Sequence, residues 1–194
     1  MPENEVSIPF SRPNAGVPVR KGRRWRRAQI VLAVIFMVVS AATARLFIRP
    51  DQGMPPRVSA IVMLDRPGAP LGVALRLAAQ HRASYLVISL GTPASSYGCP
   101  RPLPLVKVIC FNPRPATTQG EAEFVGRLAR KYHWSSVAVV AITPQDSRAR
   151  LRMERCFAGH VYVVTTPIAL SSWPYQIAYE WGALFKAVVI QRGC

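Results

Sequence analysis

The stretch VSAIVMLDRPGAPLGVALRLAAQHRASYLVISLG, residues 58–91, decides the fold. Its first seven residues, VSAIVML, are apolar and have strand character. Leu71, Ala74, Leu75 and Ala78 then recur at helical spacing over about residues 70–81. YLVISL, residues 85–90, reads as a second strand. Strands that are apolar throughout are buried on both faces. A strand, an amphipathic helix and a strand in succession imply a right-handed crossover and a parallel sheet.

The same alternation runs on toward the C-terminus. LVKVICF, residues 105–111, is a third strand. A helix from Thr117 or Thr118 to about Tyr132 comes next, with Phe124, Val125, Leu128 and Tyr132 as its apolar stripe. Thr118 and Glu121 have the spacing of a capping box. SVAVVAI, residues 136–142, is a fourth strand, residues 147–157 a helix, and VYVVT, residues 161–165, a fifth strand. A last helix covers residues 174–190, with Ile177, Trp181, Leu184, Phe185 and Val188 on its core side. The expectation is an α/β domain, three-layered and doubly wound, on a mainly parallel sheet of about five strands.

Toward the N-terminus the chemistry changes. Arg20, Lys21, Arg23, Arg24, Arg26 and Arg27 abut the apolar run AQIVLAVIFMVVSAATA, residues 28–44. Seventeen residues lie at the short edge for a spanning helix of about 20. Leu46, Phe47 and Ile48 can extend the apolar contact, and Arg45 can snorkel. Flanking cations stay on the cytoplasmic side, so the chain beyond the apolar run is delivered outside. Residues 1–27 then read as a disordered basic cytoplasmic tail, 28–48 as a transmembrane helix, 49–57 as a linker and 58–194 as an extracytoplasmic domain. A cleaved signal peptide is the rival reading, because Ala42-Thr43-Ala44 has the form of a cleavage site.

The formal net charge is +16 at pH 7. Residues 1–49 hold nine Lys or Arg and two acids, or +7, and the remainder holds sixteen and seven, or +9. The first block is explained by topology. In the second, the cations spread out except at Arg148, Arg150, Arg152 and Arg155. On a helix these cover more than one face, which suits a solvated helix or an anionic partner such as a lipid headgroup, cell-wall polymer or phosphate. Nucleic acid is not expected as a partner outside the cell.

Cys99, Cys110, Cys156 and Cys194 all lie beyond the apolar run. An even count in an oxidising compartment suggests two disulfides. Of three possible pairings, Cys99–Cys110 would close the Pro-rich loop YGCPRPLPLVKVIC, and Cys156–Cys194 would pin Cys194 to a helix end. Buried free thiols are the alternative. No cysteine spacing suits zinc, and His81, His133 and His160 do not cluster with the cysteines, so no metal is expected.

In a doubly wound fold, ligands bind at the carboxyl ends of the strands. That rule selects Asp65 after the first strand, as ligand-binding carboxylate or turn residue. It selects Ser89 and Gly91 after the second, where a glycine brings backbone amides close to an anion. Thr117, Thr118 and Glu121 open a helix whose free amides favour phosphate or carboxylate, or simply cap it. Gln145 and Arg148 come after the fourth strand, where Arg148 could clamp an anion bidentately or be solvated. No GxSxG elbow surrounds Ser89, so a nucleophilic serine is not expected.

Three segments together resemble the YdcF/SanA/ElyC family of envelope-associated proteins. Residues 60–91 are similar to that family's strand, Gly-rich turn, helix and "VVSGG", with Ser89 and Gly91 kept. PATTQGEA, residues 115–122, resembles "s-T-x-E-N-A", with Thr118 and Ala122 kept. VVAITPQDSRARLRMERC, residues 139–156, resembles "VTSxxHxxRARxxxxRC", with Arg148 and Arg150 kept. Several positions depart from the pattern. Asp65-Arg66-Pro67-Gly68 stands for the Gly-rich turn, Gly120-Glu121 for Glu-Asn, and the cysteine loop for an acidic segment. Gln145 stands where the family has a histidine, and it cannot titrate. The resemblance implies a Rossmann-like domain linked to envelope integrity, peptidoglycan or carrier-lipid metabolism. One branch is associated with S-adenosylmethionine, which is scarce outside the membrane, so no cofactor is expected here. The function expected is binding of an anionic envelope component, a carrier-lipid phosphate or cell-wall fragment. The alternatives are a hydrolase or transferase on such a substrate, or a non-catalytic scaffold.

Overall fold

A computed structural model describes residues 21–49, 53–64, 69–91 and 98–194. Contacts divide the chain after Val39 into two units. In the first unit, a helix with exposed apolar side chains runs from Lys21; the helix as a whole is α1, Lys21–Thr43. The basic residues from Arg23 to Arg27 lie inside α1, rather than in a tail ending at residue 27. The expected tail otherwise falls on residues 1–20, outside the described residues. Extended by a π-helical turn, Ala44–Ile48, α1 provides one helix, Arg23–Ile48, long and apolar enough to cross a membrane.

The second unit begins at Ser40 and holds an all-parallel sheet. Its strands are β1 (Ala60–Met63), β2 (Tyr85–Ser89), β3 (Lys107–Phe111), β4 (Ser136–Ile142) and β5 (His160–Thr166). Their spatial order is β3-β2-β1-β4-β5. Each of β1, β2 and β4 is buried along almost its whole length, which is why they read as unbroken apolar runs. The helices of this unit are α2 (Ala69–Ala79), α3 (Thr118–Tyr132), α4 (Asp146–Cys156) and α5 (Trp173–Phe185). On one face of the sheet, Ile61, Met63, Leu86 and Ile88 pack with Ala74 and Ala78 of α2. On the other, Val62, Leu64, Val87 and Val139 pack with Val125 and Ala129 of α3 and Met153 of α4. The result is the expected three-layered, doubly wound α/β architecture.

Both expected disulfides form. Cys99 and Cys110 have Cα atoms 5.8 Å apart, and Cys156 and Cys194 4.9 Å apart. Closing loops with separations of 11 and 38 residues contributes about 3 and 4 kcal/mol in the chain-entropy account.

Two expectations about packing fail. Phe47 does not extend a lipid-facing surface. It is fully buried in the second unit, edge to face with Trp181 at 5.3 Å. On α5 and the π-helical turn after it, Phe185 and Val188 are exposed, and the buried positions are Glu180 and Ala187. Helical periodicity marks a stripe but not what covers it.

Gly126 lets α3 and α4 approach, since a Cβ there would overlap the Cys156 carbonyl. Gly72 on α2 faces open space. The same substitution should therefore act with opposite sign at the two sites. Chemical denaturation of the full chain in detergent micelles should show Gly126→Ala losing about 1–3 kcal/mol and Gly72→Ala gaining about 0.5–1 kcal/mol.

Candidate functional site

The switch point of the sheet lies between β1 and β4, where successive connections leave in opposite directions. Residues after β2, β3 and β4 meet there around a cavity of about 380 Å³. Gly91, Thr117, Thr118, Glu121, Gln145 and Arg148 all line it. Ser89 does not; its hydroxyl is buried at the end of β2 with no hydrogen-bond partner among the described residues. Asp65 lies outside the described residues.

Each wall has a local cause. Gly91 has φ +60°, the left-handed conformation glycine adopts without strain. Thr117 caps α3, its hydroxyl accepting from the Gly120 amide at 3.3 Å. No capping box forms with Thr118, because Thr118 is already the first helical residue and its side chain turns elsewhere. Gly120 sits against the turn before the helix, where a Cβ would overlap the Pro115 carbonyl. With the Gly120 amide capped by Thr117, the Thr118 and Gln119 amides are the ones that the helix geometry leaves without intrahelical acceptors.

Arg148 is the hub. Its Nε donates to Glu180 Oε2 at 2.7 Å and its Nη2 to Glu180 Oε1 at 2.8 Å. Its Nη1 donates to Thr118 Oγ1 at 2.6 Å. Arg148 is therefore neither solvated nor free to clamp a ligand with its full fork. Burial opposes its charge, but the hydrogen bonds and charge of Glu180 more than offset this and raise its pKa above the ordinary arginine value. Glu121, 4 % exposed, adds to that field.

The remaining arginines of α4 are engaged in the same way. Arg152 donates to the Gln191 carbonyl at 2.6 Å and its side-chain oxygen at 2.9 Å. Arg155 donates to the Ala187 carbonyl at 2.7 Å. Arg150 donates to the Val161 carbonyl at 3.1 Å and lies 3.7 Å from Asp146. Burial lowers the Arg152 pKa, with Arg155 and Arg148 adding repulsion. The basic run is engaged within the domain, Arg152 and Arg155 with the segment after α5, Arg150 with β5 and Arg148 with α5 and α3, and is not a solvated face.

Sequence reading alone does not assign Glu180, Tyr179, Lys186 and Gln191 to the site. Tyr179 and Glu180 come from α5, Lys186 from its π-helical extension and Gln191 from the residue after it, and Tyr179, Lys186 and Gln191 line the cavity. The available signal is Glu180 itself, a single acid in WPYQIAYEWGALF. Gln145 is 2 % exposed, and its Nε2 lies 3.4 Å from Thr118 Oγ1 while Oε1 has no partner among the described residues. One end of a buried carboxamide in the cavity wall is therefore left unmatched. Lys186 is exposed at the rim and has no acidic partner among the described residues. Counting Glu180 behind Arg148, the site carries three cations and two acids. None of the three histidines lines the cavity, and among the described residues no group of His, Cys, Asp and Glu could hold a metal.

No family model, curated protein or solved structure matches the chain.

Thr118 joins Arg148 and Gln145 to the start of α3. Thr118→Val should cost about 1–3 kcal/mol in denaturant unfolding, because a buried charged donor loses its acceptor. Thr118→Ser should stay near the parent value. Equal losses in the two variants would show that the hydroxyl does not position Arg148.

Proposed function

We propose that the protein is a membrane-anchored, YdcF/SanA-like component of cell-envelope maintenance. Its extracytoplasmic domain binds an anionic envelope component, a carrier-lipid phosphate or cell-wall fragment, at the mouth of the sheet. Export is supported by the cation cluster at the start of α1 and by two disulfides, which persist in oxidising compartments.

The observation that carries the reading is the unmatched, buried carboxamide of Gln145 beside the α3 amides and Lys186. Helix N-terminal amides and an ammonium suit phosphate or carboxylate oxygens. A carboxamide end adds a hydrogen bond to a hydroxyl or amide, as on a sugar or peptide. Arg148 supplies field and shape, since its fork is held by Glu180 and Thr118. Binding is favoured over turnover because the position of the family's histidine holds Gln145, which cannot move a proton at neutral pH. The α4 arginines that suggested an anionic partner are engaged within the domain.

The full chain in phosphatidylcholine nanodiscs should bind farnesyl phosphate, a short carrier-lipid analogue, or muramyl dipeptide, saturably. Lys186→Ala should weaken that affinity about tenfold, the size of one lost charge-assisted contact, without lowering the unfolding midpoint. Absence of saturable binding by either probe would overturn the reading. So would unchanged affinity in Lys186→Ala.

A further inference from the structure

We propose that the outward face of α5 and its π-helical extension seats on the bilayer surface beside the point where α1 ends. A helix on the surface of a soluble domain turns its charges outward and its apolar stripe inward. Here the order is reversed. Glu180 has no exposed surface. Outward-facing Tyr175 and Ile190 are each 67 % exposed and Phe185 61 %, with Val188 and Val189 between them. Ala178 and Gly182 are exposed on the same helix, and Lys186 is the single exposed charge of α5 and its extension. Leu170, just before α5, is also exposed.

The occupant of this face is indicated by its neighbour within the same unit. Trp181 Nε1 donates to Thr43 Oγ1 at 3.1 Å, and the Trp181 ring packs on Phe47. Ser147, at the start of α4, donates to the Leu46 carbonyl at 2.7 Å. Thr43, Leu46 and Phe47 are among the last residues of the helix able to span a membrane. The chain therefore leaves the bilayer in direct contact with α5. Tyrosine and tryptophan suit the headgroup level, where one end of the ring is apolar and the other wet. Lys186, next to Phe185, can snorkel toward lipid phosphate. The occupant that this continuity selects is lipid, and a second copy of the chain is the competing outcome of the test.

The seating does not depend on what the cavity binds. It does bear on delivery, because Tyr179, Ala183 and Lys186 of the same segment line the cavity. A ligand carried in the lipid headgroup layer would meet that wall first.

The test uses the full chain in phosphatidylcholine vesicles with a benzoylphenylalanine photo-crosslinker at Phe185, Val189 or Tyr175. Lys131, at the far end of α3, serves as the reference site. Disulfide mapping confirms the fold of each variant, and the three sites back one another should one fail to fold. Irradiation should attach phosphatidylcholine at the α5 sites at least tenfold more than at Lys131, read by intact mass. Adducts to a second copy of the chain would overturn the inference. So would lipid yields no higher than at Lys131, including no adducts at all. Saturable farnesyl phosphate binding in that case would leave the ligand reading standing.

Discussion

A carboxylate with no solvent exposure sits on an otherwise apolar helix, and the C-terminal part of the fold is arranged to meet it. Removing an ion of this size from water costs several kcal/mol unless a partner with good geometry replaces the lost hydration. Arg148 does so with two parallel hydrogen bonds to Glu180 and uses its third nitrogen on Thr118. Helices α3, α4 and α5 are thereby brought into register at the mouth of the sheet. A buried pair of this kind adds little net stability over an apolar one. Its consequence is positional: α5 shifted along its axis would leave two opposite charges buried apart.

The rest of α4 continues the same logic. The last carbonyls of a helix lack intrahelical donors and carry partial negative charge. Arg152 and Arg155 supply donors to the segment after α5, and Cys156 fixes it covalently through Cys194. Charge that seems in composition to advertise an anionic partner is thus largely consumed inside the domain. The polar groups left at the cavity are modest and specific: the Thr118 and Gln119 amides, one end of Gln145, and Lys186. α5 and its extension consequently have three surfaces, one on the core, one on the cavity and one that is largely apolar and exposed among the described residues.

The sheet was legible from residue pattern because its causes are local. Runs such as SVAVVAI are buried on both faces, and each helix carried its own period. Even the cysteine pairing was legible from loop placement. The site was legible by position but not by role. The strand-end rule selected Gly91, Thr117, Thr118, Glu121, Gln145 and Arg148, and they do share a cavity. It could not say that Arg148 is already paired, because Glu180 is 32 residues away. Nor could periodicity tell whether Phe185 and Val188 face a core or the outside, since an apolar stripe looks the same in both settings. Phe47 was misplaced for the same reason: next to a spanning helix, an apolar residue reads as lipid-facing until Trp181 is found against it.

The pairing at the hub is tested most directly by a double-mutant cycle on the full chain in detergent micelles, using Arg148→Met, Glu180→Leu and the two combined. Each single change leaves a buried charge alone and should cost about 3–5 kcal/mol in denaturant unfolding, whereas the double variant should regain most of that loss. Losses that simply add, or single variants within about 0.5 kcal/mol of the parent, would contradict the account.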